Sequence, residues 1–178
     1  MQAPGGDWRS LLAPGYLLER SRLIGPQRMP AAAAGQPAPL RMGYAPMPPQ
    51  PEYGTSHISI IDKDGNAVAM TTTIEAAFGS RQMVKGFMLN NELTDFSFTP
   101  TDASGQPIAN SVQPGKRPRS SMSPTLVFDR NSGQLLASVG SPGGAAIIHY
   151  TAKTLYGMLN WGSVSYTHLR AHETRHDL

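Results

Sequence analysis

At Gly54-Thr55 a stretch rich in proline and glycine stops, and a strand-like one begins. Residues 25–54 carry Pro, Ala, Gly and Gln with almost no periodicity, which reads as an exposed linker. From His57 the period is two: HISIID and AVAMTTTI are strand-like and are joined through Asp64-Gly65, a hairpin signal. A threonine placed right after glycine, at the mouth of a strand, is also how a chain presents a residue at which it cuts itself. A threonine hydroxyl is a weak nucleophile and needs a nearby base. The α-amine freed by such a cut, with an ordinary pKa of about 8, can supply one.

Further along, residues 7–24 show apolar residues at helical spacing broken at Pro14-Gly15, which predicts two short helices. A strand is expected from Val84 to Leu89, and a second hairpin from Thr125–Phe128 and Leu135–Val139 around Asn131-Ser132-Gly133. Residues 98–115 read as a polar loop without pattern. After Gly143-Gly144 comes AAIIHYTAKTLYGMLNW, the one long helical run, with Ile147, Ile148, Thr151, Leu155 and Leu159 at spacings of three and four.

Composition bounds the function. The 178 residues suffice for one domain, but the chain carries 18 glycines and 16 prolines, concentrated toward the first third, which weakens a self-sufficient core. A net charge of +3, scattered and without aromatic residues between the basic ones, does not describe a nucleic-acid reader. The absence of cysteine excludes disulfide scaffolds and thiolate–metal sites. No stretch approaches the roughly 20 apolar residues of a membrane span.

Four segments in fixed order carry more. They are TSHISIIDKDGNAVAMTTTIE (55–75), LNNELTDFS (89–97), KRPRSSMSPT (116–125) and GSPGG (140–144). Together, over roughly residues 10–162, the chain resembles the γ-glutamyltranspeptidase family. The resemblance implies an α+β fold, an N-terminal-nucleophile hydrolase sandwich of mainly antiparallel sheets between helical layers, present here in part. It implies residues 1–54 as the end of a large subunit with its linker, 55–162 as part of the small subunit, and autoproteolysis between Gly54 and Thr55. The activity implied is hydrolysis and transfer of γ-glutamyl groups from glutathione and related amides, without cofactor or metal. The partners implied are that substrate, an amino-acid or water acceptor and the rest of the large subunit. Nucleic acid is not expected, and the compartment implied is periplasmic or extracellular.

By the same resemblance Thr55 is the nucleophile and Thr73 hydrogen-bonds it. Gly143 and Gly144 form the oxyanion hole, at a glycine-rich helix start whose N–H groups are open to a ligand. The substrate ammonium falls to Glu75, Glu92 and Asp95. Glu92 and Asp95 lie three apart, so a turn aims both carboxylates one way, and the neighbours Leu93 and Phe96 suggest a turn that is packed down. Three carboxylates together would raise at least one pKa. Ser120 and Ser121 hold the α-carboxylate, while Lys116, Arg117 and Arg119 are expected in local ion pairs. The arginine that grips the carboxylate in this family belongs to the large subunit and is not among these residues, so no turnover by this chain alone is expected. Residues 98–115 lack the tyrosine that covers the substrate in well-studied members.

Two other readings stay open: an acylase for glutaryl-type side chains, disfavoured by Glu92 and Asp95, and an inert fragment whose open sheet edges associate. The last stretch, SVSYTHLRAHETRHDL, sets His168, His172 and His176 four apart as zinc ligands on a helix would be. SYTHLRAHETRHDL is more similar to translated adapter read-through, so residues 163–178 are set aside as a non-native tail.

Overall fold

The computed structural model describes residues 8–29, 31–35, 37, 44–48 and 54–162; the histidine-bearing tail lies outside these. Two compact units emerge, residues 1–48 with 96–116 and residues 49–95 with 117–178. The boundary expected at Gly54 rests on an expected cleavage of the chain, whereas these units follow packing.

In the first unit a 3-10 turn, Trp8–Leu12, leads into helix α1, Pro14–Ser21. Pro14 does not merely break the helical pattern: it opens α1, where its missing N–H costs nothing. Residues 98–115, read from sequence as a patternless loop, are mostly exposed but pinned at Ile108 and Ser111. Ile108 is fully buried, with Ala45 and Phe96 nearly so. Ala45 N–H donates to the Pro107 carbonyl at 2.7 Å, and Ala109 N–H returns to Ala45 at 3.3 Å. Lys116 Nζ donates to the carbonyls of Ala109 (2.8 Å) and Ser111 (3.3 Å), serving as a main-chain staple rather than the expected ion pair. One apolar residue in a polar string has no period, so pattern reading could not see it.

The second unit is built from three antiparallel hairpins and a helix. β1 (Thr55–Ile61) pairs with β2 (Ala67–Thr73), β3 (Met83–Val84) with β4 (Phe87–Met88), and β5 (Thr125–Phe128) with β6 (Leu135–Val139). The single strand expected over Val84–Leu89 is instead a tight hairpin. Lys85 (φ 48°) and Gly86 (φ 85°) are both left-handed, as a two-residue hairpin turn requires. Each named sheet has two strands, so the antiparallel character is as expected but the sheets are pieces.

Alternation in β1 and β2 sorts their side chains. His57 and Ser59 stand opposite Thr71 and Ala69 on one face; Ile58 and Ile60 stand opposite Met70 and Val68 on the other, all four at least 38% exposed. The small and polar face meets the third hairpin, where Ser138 Oγ donates to Ser59 Oγ at 2.9 Å. Helix α2, Ile147–Trp161, buries Ile147, Thr151 and Gly157. Ile148 and Leu159, expected on its apolar face, are 51% and 63% exposed.

Turns close with a shared device. Asp62 accepts the N–H groups of Asp64 and Asn66, Asp102 those of Ser104 and Gln106, and Asp129 those of Asn131 and Ser132. These bonds, led by donors on Asn66, Ser104 and Ser132, hold the three carboxyls below the usual range.

Candidate active site

Register brings Thr55, the first residue of β1, opposite Thr73, the last of β2. Beyond this pair the strands part. Thr73 Oγ1 donates to the Gly54 carbonyl at 3.0 Å and accepts the Glu75 N–H at 2.8 Å. One hydroxyl therefore ties the carbonyl before Thr55 to the turn that carries a carboxylate.

That turn is unusual. Glu75 sits at φ 68°, a left-handed conformation that glycine and asparagine adopt more readily than glutamate. Asn91 braces it from both sides. Its Nδ2 donates to Glu75 Oε2 at 2.6 Å, and its Oδ1 accepts the Ala76 N–H at 2.9 Å. Asn91 Nδ2 also reaches Thr94 Oγ1 at 2.9 Å. Sequence reasoning quoted the Asn-Asn-Glu string but passed over Asn91, because a side chain serving a distant turn leaves no local pattern.

Glu92–Asp95 form one 3-10 turn, in which residues three apart eclipse, so the two carboxylates project together. Asn90 Oδ1 accepts the Glu92 N–H at 3.1 Å and caps the turn, a signal that the string Asn-Asn-Glu did contain. Phe96 is buried as expected, but Leu93 is 76% exposed. Burial, then a hydrogen bond with Asp95 and repulsion from Asp95 and Glu75, push the Glu92 carboxyl up to about 7. Glu92 Oε1 is buried without a hydrogen-bond partner. A carboxyl left this way favours a proton or an incoming cation.

Thr55, Thr73, Glu75, Glu92, Asp95, Ser120, Ser121 and Gly144 line one solvent-open cleft of about 410 Å³. Gly143 is not in that lining; it stands at φ 129° beside the Tyr150 ring. The glycine pair does not open α2 directly, since a 3-10 turn, Gly144–Ala146, comes between. Ser123 Oγ donates to Thr151 Oγ1 at 3.1 Å and ties the Ser120-Ser121 segment to α2. Arg119, Met122, Ala145 and Ile147 line the cleft as well. Arg119, expected in a local ion pair, shares this cleft with three carboxylates. Among the described residues no group of three or more His, Cys, Asp or Glu could hold a metal ion, and no helix is long and apolar enough to cross a membrane.

Two threonine hydroxyls, a hydrogen-bonded carbonyl beside them and three carboxylates are thus gathered at one cleft. Comparisons with known proteins give the family. The profile described as Gamma-glutamyltranspeptidase matches residues 3–178. The glutathione hydrolase proenzyme of Bacillus subtilis is 41% identical over 163 residues, covering 86% of this chain and 26% of that protein. The proenzyme of Pseudomonas aeruginosa is 39% identical over 143 residues, covering 77% and 23%. The chain thus spans about a quarter of the length of these relatives. Among solved structures, γ-glutamyltranspeptidase from Pseudomonas nitroreducens complexed with L-DON aligns with a TM-score of 0.53 at 40% identity, over 63% of this chain and 60% of that one. A Helicobacter pylori γ-glutamyltranspeptidase mutant aligns with a TM-score of 0.51 at 39% identity, over 61% of each.

Proposed function

The chain belongs to the γ-glutamyltranspeptidase family, and from that premise we propose that Thr55 is the nucleophile of a γ-glutamyl hydrolase and transferase. The whole protein acts on glutathione and other γ-glutamyl amides. Thr55 is used twice. Its Oγ first attacks the Gly54 carbonyl carbon; the C–O bond forms, the C–N bond breaks and the proton passes to the departing amine. Water then hydrolyses the ester, leaving a Gly54 carboxylate and a free Thr55 amine. The observation that carries the reading is the Thr73 hydroxyl on the Gly54 carbonyl at 3.0 Å, which draws electron density from the carbon to be attacked.

In turnover the freed amine takes the proton from Thr55 Oγ as it attacks the substrate γ-carbonyl. The oxyanion meets the N–H groups of Gly143 and Gly144, each worth on the order of 3 kcal/mol if well aimed. The proton goes to the leaving amine. Water then gives glutamate, and an amino acid gives a new γ-glutamyl amide. Glu75, Glu92 and Asp95 receive the α-ammonium, and Ser120 and Ser121 the α-carboxylate. A glutaryl group has no ammonium to offer these carboxylates, which disfavours the acylase reading. Residues 1–54 serve as the end of the large subunit and 55–162 as part of the small one. Turnover belongs to the whole protein, whose remaining large subunit supplies a carboxylate-binding arginine, and the compartment proposed is periplasmic or extracellular.

Intact mass of the purified chain beside Thr55→Ala tests this. A split between Gly54 and Thr55, absent in the variant, supports it. If both stay whole, the whole protein is measured next; a precursor uncut there sinks the reading.

A further inference from the structure

We propose that His57 and Tyr150 are positioning residues that clamp the loop Gly140–Gly143 and so set the Gly143 and Gly144 amides relative to Thr55. The proposal rests on the functional reading above and concerns residues that reading does not use.

His57 follows Thr55 by two, so both side chains leave β1 on the same face. Both ring nitrogens are engaged. Nδ1 lies 2.8 Å from Thr71 Oγ1 on the paired strand, and Nε2 lies 3.1 Å from Ser59 Oγ. Ser59 in turn is held by Ser138 of β6. With one hydroxyl at each nitrogen, the imidazole cannot swing about its own axis without breaking a bond.

Gly140 backs onto that ring. A Cβ at residue 140 would clash with the imidazole, 2.6 Å from Nε2 and nearer still to Nδ1 and Cε1. Gly140 is not among the positive-φ glycines, so the residue is glycine for close approach alone. At the other end of the loop, a Cβ on Gly143 would meet Tyr150 Cε2 at 2.7 Å, and its φ of 129° also demands glycine. Between them Pro142 has a fixed φ. The loop is therefore held at one end by a ring from the nucleophile's own strand and at the other by a ring from α2. A donor displaced by an ångström loses most of its hold on a developing oxyanion, so such a clamp acts on the chemical step.

The test is turnover of γ-glutamyl-p-nitroanilide by the whole protein, with kcat and KM separated and Thr55→Ala as control. Gly140→Ala should drive a methyl into the His57 ring and lower kcat about 100-fold with KM nearly unchanged. His57→Ala should also lower kcat. The double variant, in which the methyl fills the space the ring left, should recover about tenfold over Gly140→Ala. Tyr150→Ala, which removes the ring, should lower kcat as well. Thr55-dependent turnover that is indifferent to Gly140→Ala, or additive losses in the double variant, would overturn the clamp. Absence of any Thr55-dependent turnover would overturn the functional reading and the clamp with it.

Discussion

Thr73 Oγ1 lies 3.0 Å from the carbonyl oxygen of Gly54, directly across the hairpin register from Thr55. This one contact links the strand pairing to the bond proposed to break. It exists because β2 ends at Thr73 and not a residue earlier, so the hydroxyl on the inner face falls beside the carbonyl. Thr73→Val keeps the β-branched shape and removes the donor. Self-cleavage followed by mass should slow about 100-fold, while Thr73→Ser should stay near the parent. Equal rates in all three would separate the contact from the chemistry.

Asn91 carries the left-handed turn at Glu75. Asn91→Ala leaves the Ala76 N–H and the Glu75 carboxylate without their partner, so the unit should lose about 1–3 kcal/mol in urea unfolding. A change within a few tenths would mean that water replaces the side chain at no cost.

Glu92 makes stability fall as pH rises. Its carboxyl is raised to about 7 in the folded chain against an ordinary value of 4.5, so between those values the folded state binds more protons than the unfolded one. Stability from this group is complete below about 4.5 and is lost as pH climbs to about 7. Glu92→Gln should flatten that slope in a series of thermal melts and raise Tm relative to the parent above pH 7. A parent and variant with parallel Tm–pH curves would count against the carboxyl cluster as drawn.

Ile108 is the test of the unit that pattern reading missed. It is fully buried in a segment that otherwise looks like loop. Ile108→Ala should cost about 2–5 kcal/mol, seen as early loss of hydrogen-exchange protection at Ala45 and Ala109. Protection unchanged there would mean that this segment is held by its turns alone.

Much of the site was legible in the chain. Alternation determined the β1–β2 pairing, turn residues placed both long hairpins, and the spacing of Glu92 and Asp95 put two carboxylates on one side of a turn. These are local properties, written in neighbouring residues. What the residues could not say is which side chains reach across. Asn91 bracing Glu75, Arg119 entering the cleft, Ile108 forming a core and His57 seated on Gly140 all join positions far apart in sequence or lacking any period. Close approach of two backbones leaves only a glycine as its trace, and a glycine alone is also what any turn leaves. Only the tertiary structure separates the two, because only there does the space where a Cβ would go turn out to be filled.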